Sequence, residues 1–318
     1  MSNEKWVVSV TGPIQPESFG VTDAHAHAWI DPPVESSDNM PRLDDFKAAK
    51  KELSQFYANG GYGLVDCQPG GAGRDGNMLR LLSEKTGVKI VASSGFHLRK
   101  YYTKNYWLFA SETSDAANYF ISELTQNLHE SKDNKYPILA GQIKIACPAK
   151  PEDWPKPLMV GAAQAAIATG AAIHIHTERG ASAMRIFRFF EAQNLNPQKL
   201  ILAHMDKRPD LQLHQTLIKA GCLLEYDTFS REKYYPEENI WQLLPKLLEK
   251  DLSDGIAIAN DLAFKHEWQV FNGSPGLTYL PLYIIPRLKS LNLDSETLAD
   301  ITGHNIARRL ARPKPRSV

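Results

Sequence analysis

The stretch LMVGAAQAAIATGAAIHIH, residues 158–176, joins a helical pattern to a short β-strand pattern. Residues 157–169 are predicted to form a helix, and AAIHIH is an apolar run that ends in two histidines. The stretch contains Gln164 and is rich in alanine and glycine, so it does not fit a span of about 20 strongly apolar residues. It is therefore predicted to be one helix and strand unit of a soluble protein.

The same alternation extends through the chain. Short apolar or β-branched runs predict eight strands: FGVTDAHAH, YGLVDCQ, VKIVASSG, PILAGQIKIA, AAIHIH, KLILAH, GCLLEYD and GIAIAN. Helices are predicted between them at 43–59, 75–86, 114–130, 157–169, 182–193, 209–220 and 238–250. Two further segments, GLTYLPLYIIPRLKSLN and SETLADITGHNIARRLA, predict a C-terminal helical extension.

This order of elements predicts the fold class. Eight strands with intervening helices and no internal linker favour an α/β fold of the closed (β/α)8 TIM barrel type. The alternative is a doubly wound parallel sheet with a second domain. We predict one barrel domain over residues 1–318 with its helical extension.

Composition excludes several classes of partner. Lys plus Arg and Asp plus Glu are both 36, so no net field favours nucleic acid or an anionic membrane. The N-terminal MSNEKWVVSV is charged and too short in its apolar part for a signal peptide. The three cysteines, Cys67, Cys147 and Cys222, lie far apart and predict structural thiols. A cytoplasmic protein without a disulfide framework is expected.

Polar side chains occur where the predicted strands end, which is the working face of such a barrel. Because side chains alternate along a strand, His25 and His27 can point into the same cavity. A lone strand histidine is more often a core residue than a ligand. Several others at separate strand ends favour a shared metal site. These residues are His176, His204 and Asp261.

Lys144 is unusual because it lies in the otherwise apolar strand PILAGQIKIAC, in which Gln142 is the other polar residue. Desolvation of an ammonium group costs several kcal/mol. The amine could form an ion pair with a carboxylate at the rim, or it could have added CO2 to become a carbamate that bridges two metals. The surrounding histidines and aspartate favour the carbamate.

The sequence resembles the phosphotriesterase family of the amidohydrolase superfamily over nearly its whole length. The motifs that carry this resemblance are the H-x-H of His25 and His27, PGGAGRDG, TGVKIVASSGFH, IKIA, HTERG, ILAH, ANDLAF and YIIPRLKSLNL. The chain has HAH where the family more often has H-E-H, and Phe96-His97 where a tyrosine is usual. The second departure lies at the expected pocket mouth and affects substrate identity.

The resemblance implies a centre of two divalent metal ions, usually zinc. His25, His27 and Asp261 would bind one ion, and His176 and His204 the other. Carboxylated Lys144 and a hydroxide would bridge them, and Asp261 would accept a proton. His174 lies one layer deeper and is interpreted as a core or supporting residue. The resemblance also favours a homodimer.

The predicted rim segments are rich in cationic groups, although the chain has no net charge. This surplus suggests a small anionic substrate. The alternative is that the cations pair with rim carboxylates such as Glu178, Asp206, Glu232 and Glu267. The residues predicted to bind substrate are His97, Arg99, Arg179, Arg231, Lys233, Tyr234 and Lys265.

Together these patterns predict a metal-dependent hydrolase. We expect a lactonase that opens a polar or anionic sugar or sugar-phosphate lactone by attack of the bridging hydroxide. An organophosphate triesterase or amidase with the same centre is the enzymatic alternative. A non-catalytic barrel that binds a ligand is the alternative of another class.

Two further patterns need an interpretation. GAGRDG, residues 71–76, matches G-x-G-x-x-G, but no acidic residue follows at the distance that a ribose hydroxyl requires. We interpret it as a loop in which Arg74 and Asp75 anchor the rim. Asp23 shares the strand register of His25, and it could orient a ligand imidazole or pair with a basic residue inside the barrel.

Overall fold

The computed structural model describes residues 4–33 and 40–315. Eight parallel strands follow one another in chain order around the sheet, each hydrogen-bonded to its sequence neighbour. They are β1 Thr22–Ala26, β2 Gly63–Asp66, β3 Lys89–Gly95, β4 Ala140–Cys147, β5 Ile173–Thr177, β6 Leu200–Ala203, β7 Leu223–Tyr226 and β8 Ile256–Ile258. The predicted α/β barrel is confirmed.

The first and eighth strands meet, so the barrel is nearly closed. The backbone N–H of Asp261, just beyond β8, donates to the carbonyl oxygen of His25 at 2.9 Å. The N–H of Asn260 donates to the Asp23 carboxylate at 3.1 Å, and the Asn260 side-chain amide donates to it at 2.9 Å. Burial raises the pKa of Asp23 to about 7. Asp23 therefore joins the two edges of the sheet rather than filling either predicted role.

Helices lie between the strands close to their predicted positions. They are α1 Phe46–Ala58, α2 Gly76–Thr86, α3 Thr113–Thr125, α4 Lys156–Thr169, α5 Ala183–Ala192, α6 Leu211–Lys219 and α7 Ile240–Leu248. Aspartates cap several of them; the Asp45 and Asp75 carboxylates, for example, accept from N–H groups in the first turns of α1 and α2.

The C-terminal extension is helical, as predicted. It contains α8 Ile285–Lys289, α9 Ser295–Ala299 and α10 Asn305–Leu310, with π-helical turns at Leu280–Ile284 and Asp300–His304. Strand Arg312–Pro313 then pairs with the N-terminal strand Lys5–Ser9, which also pairs with Gly12–Ile14. This small sheet packs near the start of β3, where Val10 N–H donates to Ile90 O.

Strand register places the polar interior residues in layers. Gly95, Lys144 and His174 are aligned across β3, β4 and β5, while His176 lies one layer closer to the carboxyl end. Gly95 has φ of 106°, and a Cβ there would lie 1.9 Å from the Lys144 carbonyl oxygen. Only glycine permits this close approach beside Lys144.

Two further sequence expectations concern the cysteines and membrane spans. Cys67, Cys147 and Cys222 are buried free thiols. Within the described ranges, the helices are too short or too polar to cross a membrane.

Candidate metal centre and active site

A cavity of about 130 Å³ opens at the carboxyl ends of the strands. His25, His27, His176 and Asp261 line it. Lys144 and His204 lie behind this surface with exposed fractions of 0% and 1%. The barrel therefore brings all six predicted metal-binding side chains to one end.

The first cluster contains the two histidines of the H-x-H motif. His25 Nε2 and His27 Nε2 each lie 3.6 Å from Asp261 Oδ1. One ligand atom from each of these three residues lies within 4.8 Å of the others. Two imidazoles and a carboxylate at this spacing could hold a divalent ion such as zinc.

The second cluster contains the histidines that follow β6 and end β5. His204 Nε2 lies 2.8 Å from His176 Nδ1, so the two ring nitrogens face each other. The ring centroids of His204 and His25 are 5.1 Å apart. The two clusters are therefore adjacent, as a centre with two ions requires.

Backbone strain accompanies two of these side chains. His204 has φ of 64° and Asp261 has φ of 52°, both in the left-handed region that non-glycine residues seldom adopt. Such conformations cost about 1–3 kcal/mol and concentrate at functional sites. The fold thus maintains unfavourable backbone conformations at two positions whose side chains belong to the two ligand clusters.

Lys144 lies beside the first cluster. Its Nζ is 3.1 Å from His25 Nε2. Among the described residues, no carboxylate lies within the 4.0 Å of this nitrogen that an ion pair requires. The predicted alternative of an ion pair at the rim is therefore wrong for this part of the chain, because its acidic partner is missing.

Burial keeps several of the imidazoles neutral. It lowers the pKa of His25 to about 3, although the negative charge of Glu225 acts in the opposite direction. Burial also lowers the pKa of His176 and places that of His204 well below its usual range. A neutral imidazole has a free lone pair on one nitrogen, and this lone pair is what a metal ion needs.

Asp261 is the acidic member of the centre. Burial raises the pKa of its carboxyl group, but the positive charge of Arg231 and contacts with the histidines outweigh this, and the pKa lies well below its usual range. Arg231 contacts Asp261 Oδ2 at 3.1 Å. Asp261 is therefore a carboxylate with Oδ1 toward the histidines and Oδ2 toward Arg231.

Strand β7 and the residue that follows it contribute two acidic side chains that the sequence interpretation missed. Glu225 Oε1 lies 2.8 Å from His25 Nδ1, and Asp227 Oδ2 lies 2.5 Å from His204 Nδ1. The two carboxylates are two positions apart at the end of GCLLEYD, the same spacing as in the H-x-H motif. Strand alternation could therefore have identified both.

The seven residues predicted to bind substrate do not all reach the cavity. His97 and Arg231 line it, while Arg99, Arg179, Lys233, Tyr234 and Lys265 lie outside its described lining. The sequence predicts that Arg231 contacts the substrate, with no partner inside the protein. It lies instead against Asp261.

Local contacts explain where several of the other side chains lie. Arg99 donates to Thr103 O within its own loop and stacks on Phe109, and Lys265 pairs with Asp44 at 3.2 Å. Lys233 lies over the ring of Tyr234. A substrate would have to displace these contacts in order to bind Arg99, Lys265 or Lys233. Arg179 is exposed.

The glycine-rich loop anchors the rim, as predicted. Arg74 is buried and pairs with both Glu123 and Glu130. Asp75 caps α2 by accepting from the N–H groups of Asn77 and Met78. The loop therefore has a structural explanation that requires no dinucleotide.

Comparisons with known proteins agree with this geometry. The family model described as phosphotriesterase family matches residues 6–310. A phospho-furanose lactonase from Mycoplasmopsis agalactiae is 30% identical, and the match covers 99% of this chain and 94% of that protein. An N-acetyltaurine hydrolase from Rattus norvegicus is 25% identical, over 94% of this chain and 96% of that protein.

A solved structure extends the similarity to three dimensions. The crystal structure of a lactonase from Listeria monocytogenes is 25% identical and has a TM-score of 0.89, covering 97% of this chain and all of that one. The barrel, its clustered histidines and the family match over nearly the whole sequence lead to one conclusion. The chain belongs to the phosphotriesterase family of metal-dependent hydrolases.

Proposed function

We propose that this protein is a lactonase that uses two divalent metal ions, most simply zinc, to open a polar or anionic lactone. The observation that carries the proposal is the convergence of His25, His27 and Asp261 on one side of the cavity floor with His176 and His204 on the other. Lys144 lies beside them without a carboxylate partner among the described residues.

The residues fit the ions in both donor type and position. His25, His27 and Asp261 would hold one ion, and His176 and His204 the other. Lys144 would bridge them as a carbamate, which replaces a costly buried ammonium by an anion suited to cations. The facing nitrogens of His176 and His204 support this assignment, because neither imidazole bears a positive charge.

When bound, the two ions supply an acidified water as nucleophile and polarise the electrophilic oxygen of the substrate. Asp261 lines the cavity and would accept a proton; its Oδ1 lies toward His25 and His27 and its Oδ2 toward Arg231. Arg231, at 3.1 Å from that oxygen, would orient the carboxylate and meet an anionic group of the substrate. His97 at the cavity wall would contact the substrate.

A sugar or sugar-phosphate lactone is the substrate class that we propose. The relative named phospho-furanose lactonase supports it, and so does the guanidinium group of Arg231 in the lining. An amide is the second candidate, favoured by the relative named N-acetyltaurine hydrolase. The same centre would serve both carbonyl substrates, and a phosphotriester as well.

Two measurements on purified protein test the proposal. Metal analysis should find about two equivalents of zinc or a similar ion, whereas none after reconstitution would support the non-catalytic barrel. Hydrolysis is then assayed on phosphorylated and unphosphorylated aldonolactones, an N-acyl amine and a simple phosphotriester. Fastest turnover of a lactone is expected, with preference for the phosphorylated form, and faster turnover of the amide would select the second candidate.

Three further expectations stay predictions. They are the assignment of residues 1–318 to a single domain, pairing with a second copy as a homodimer, and a cytoplasmic location.

A further inference from the structure

A buried hydrogen-bonded network crosses the barrel directly beneath the proposed metal ligands. TIM-barrel interiors are usually filled by layers of branched aliphatic side chains. Here six residues on six different strands are linked in sequence, and each is at most 2% exposed. We call this the cross-barrel network: His25, Glu225, His174, Gln142, Ser93 and Asp66.

The far end of the network fixes the direction of its hydrogen bonds. The Ser93 hydroxyl donates to the carbonyl oxygen of Asp66 at 2.5 Å, so its oxygen accepts from Gln142 Nε2 at 2.9 Å. Gln142 Oε1 then faces His174 Nδ1 at 3.3 Å. An amide oxygen only accepts, so His174 Nδ1 is the donor in this bond; Cys67 Sγ, at 3.7 Å, is the other neighbour of the same nitrogen.

Glu225 connects His174 to the proposed metal ligand His25. Its Oε2 is hydrogen-bonded to His174 Nε2, and its Oε1 lies 2.8 Å from His25 Nδ1. The hydrogen of the first bond can lie on nitrogen or on Oε2. In both arrangements Oε1 remains an acceptor, so His25 Nδ1 donates to it.

The consequence is a fixed tautomer of a proposed metal ligand. With its hydrogen on Nδ1, His25 keeps the lone pair on Nε2, which faces Lys144 Nζ at 3.1 Å and Asp261 Oδ1 at 3.6 Å. His27 differs, because its Nδ1 has no hydrogen-bond partner within the described part of the chain. Of the two histidines in the motif, His25 has an acidic partner at its Nδ1 and His27 has none there among the described residues.

We propose that Glu225 and His174 are positioning residues that set the tautomer and orientation of His25 and so raise the affinity for one of the two ions. The inference rests on the proposed metal centre. His174 keeps Glu225 Oε2 engaged and Oε1 free to accept, and it lets a carboxylate be buried without an unpaired oxygen. Carboxylates behind a ligating histidine typically contribute 10- to 100-fold to metal affinity.

The test measures Zn²⁺ binding to the full chain by competition with a chromogenic chelator. Glu225→Leu should weaken one of two binding steps by about 100-fold and leave the other unchanged. Glu225→Gln should weaken it by about tenfold, since the amide retains both hydrogen bonds and loses the charge. His27→Ala identifies the affected step, because His27 belongs to the same cluster.

His174 supplies a matched pair of variants. His174→Leu should weaken the same zinc-binding step as Glu225→Leu. His174→Gln should keep much of the affinity that His174→Leu loses, because its amide can donate to Glu225. The double variant Glu225→Leu, His174→Leu should bind no more weakly than Glu225→Leu alone, because both residues act through His25. Thermal unfolding of the metal-free proteins measures how much stability each variant has lost, so that a loss of packing can be distinguished from a loss of zinc affinity.

Three results would overturn the inference. The first is wild-type affinity for both ions in folded Glu225→Leu and His174→Leu proteins. The second is equal weakening of both steps, which would indicate a general loss of structure. The third applies if Glu225→Leu does not fold: it is a zinc affinity of Glu225→Gln equal to that of the wild type. Absence of any binding in the wild type would instead remove the proposed function itself, which distinguishes the two failures.

Discussion

The floor and the rim of the cavity are built in different ways. The floor consists of the proposed metal ligands and the acidic residues behind them, all carried by the strands or adjacent to them: His25, His27, Lys144, His176, His204, Asp261, Glu225 and Asp227. The rim consists of loop cations, of which Arg99 and Lys265 already contact neighbouring loop groups. The floor is ordered by partners on other strands of the barrel, while the rim depends on contacts between loops. We infer that the floor determines the chemistry and the rim selects the substrate.

The largest effect is expected from removal of the amine in the floor. Lys144→Met should reduce hydrolysis of every substrate by at least about a thousandfold, because several kcal/mol of transition-state stabilisation depend on the bridged ions. His176→Ala, which removes a ligand, should cause a comparable loss. Turnover is measured together with metal content after reconstitution.

A separate readout addresses the carbamate itself. Protein incubated with ¹³C-bicarbonate should show a carbamate carbon signal that Lys144→Met lacks. Full activity in a folded Lys144→Met protein would contradict the role of the floor, and an identical carbon spectrum would contradict the modification.

The next effect concerns the acidic residue behind His204. Asp227→Asn keeps the size of the side chain but replaces the carboxyl group that faces His204 Nδ1 at 2.5 Å by an amide. Affinity for one ion should fall by about 10- to 100-fold, and activity at limiting zinc should fall with it. Excess zinc should restore most of the activity.

Glu225→Gln is the natural comparison, because it is expected to weaken the other ion. If both variants weaken the same binding step, the division of the floor into two ligand clusters is incorrect.

The difference between floor and rim also explains what the sequence could predict. Strand alternation and strand order place His25, His27, His176 and His204 at one end without any knowledge of loops. The same rule applies to Glu225 and Asp227, whose spacing in GCLLEYD carries the same information. These acidic residues could have been predicted, because their positions depend on local geometry.

Other features depend on contacts between distant parts of the chain. Asp23 bonds to Asn260, which is 237 positions away, and Lys265 bonds to Asp44 across 221 positions. Strand periodicity contains no information on which loop meets which. The role of Asp23 in closing the barrel and the pairing of the rim cations therefore required the structure.

A smaller effect on activity is expected at Arg231, the rim arginine in the described lining of the cavity. Arg231→Ala should raise the Michaelis constant for an anionic lactone by about tenfold, corresponding to one charge-assisted hydrogen bond of about 1.5 kcal/mol. A neutral lactone of the same ring size should change less. Michaelis constants for the two substrates are compared in parallel.

Lys233→Ala is the control for this variant, because Lys233 lies outside the described lining of the cavity. Equal changes for the charged and neutral lactones in Arg231→Ala would show that the arginine acts through Asp261 alone.

The smallest effect on activity is expected from replacement of His214. This residue of α6 contacts Tyr226, which lies between Glu225 and Asp227 but on the outer side of β7. Its Nδ1 accepts from the Tyr226 hydroxyl, and its Nε2 donates to Arg208 O, both at 2.9 Å. Burial lowers the pKa of His214 from 6.5 to about 4. The unfolded chain therefore binds a proton that the folded protein excludes between these pH values.

The folded state should lose stability from this histidine as the pH falls from about 6.5 toward 4, with a loss of about 2 kcal/mol by pH 5. His214→Gln should remove this part of the pH dependence while zinc affinity stays unchanged. Urea unfolding of the metal-free proteins at about pH 7.5 and pH 5 measures the difference. A lower zinc affinity of His214→Gln would contradict this prediction. It would show that contacts on the outer face of β7 also orient the proposed metal ligands, so that strand stability and metal binding are not independent.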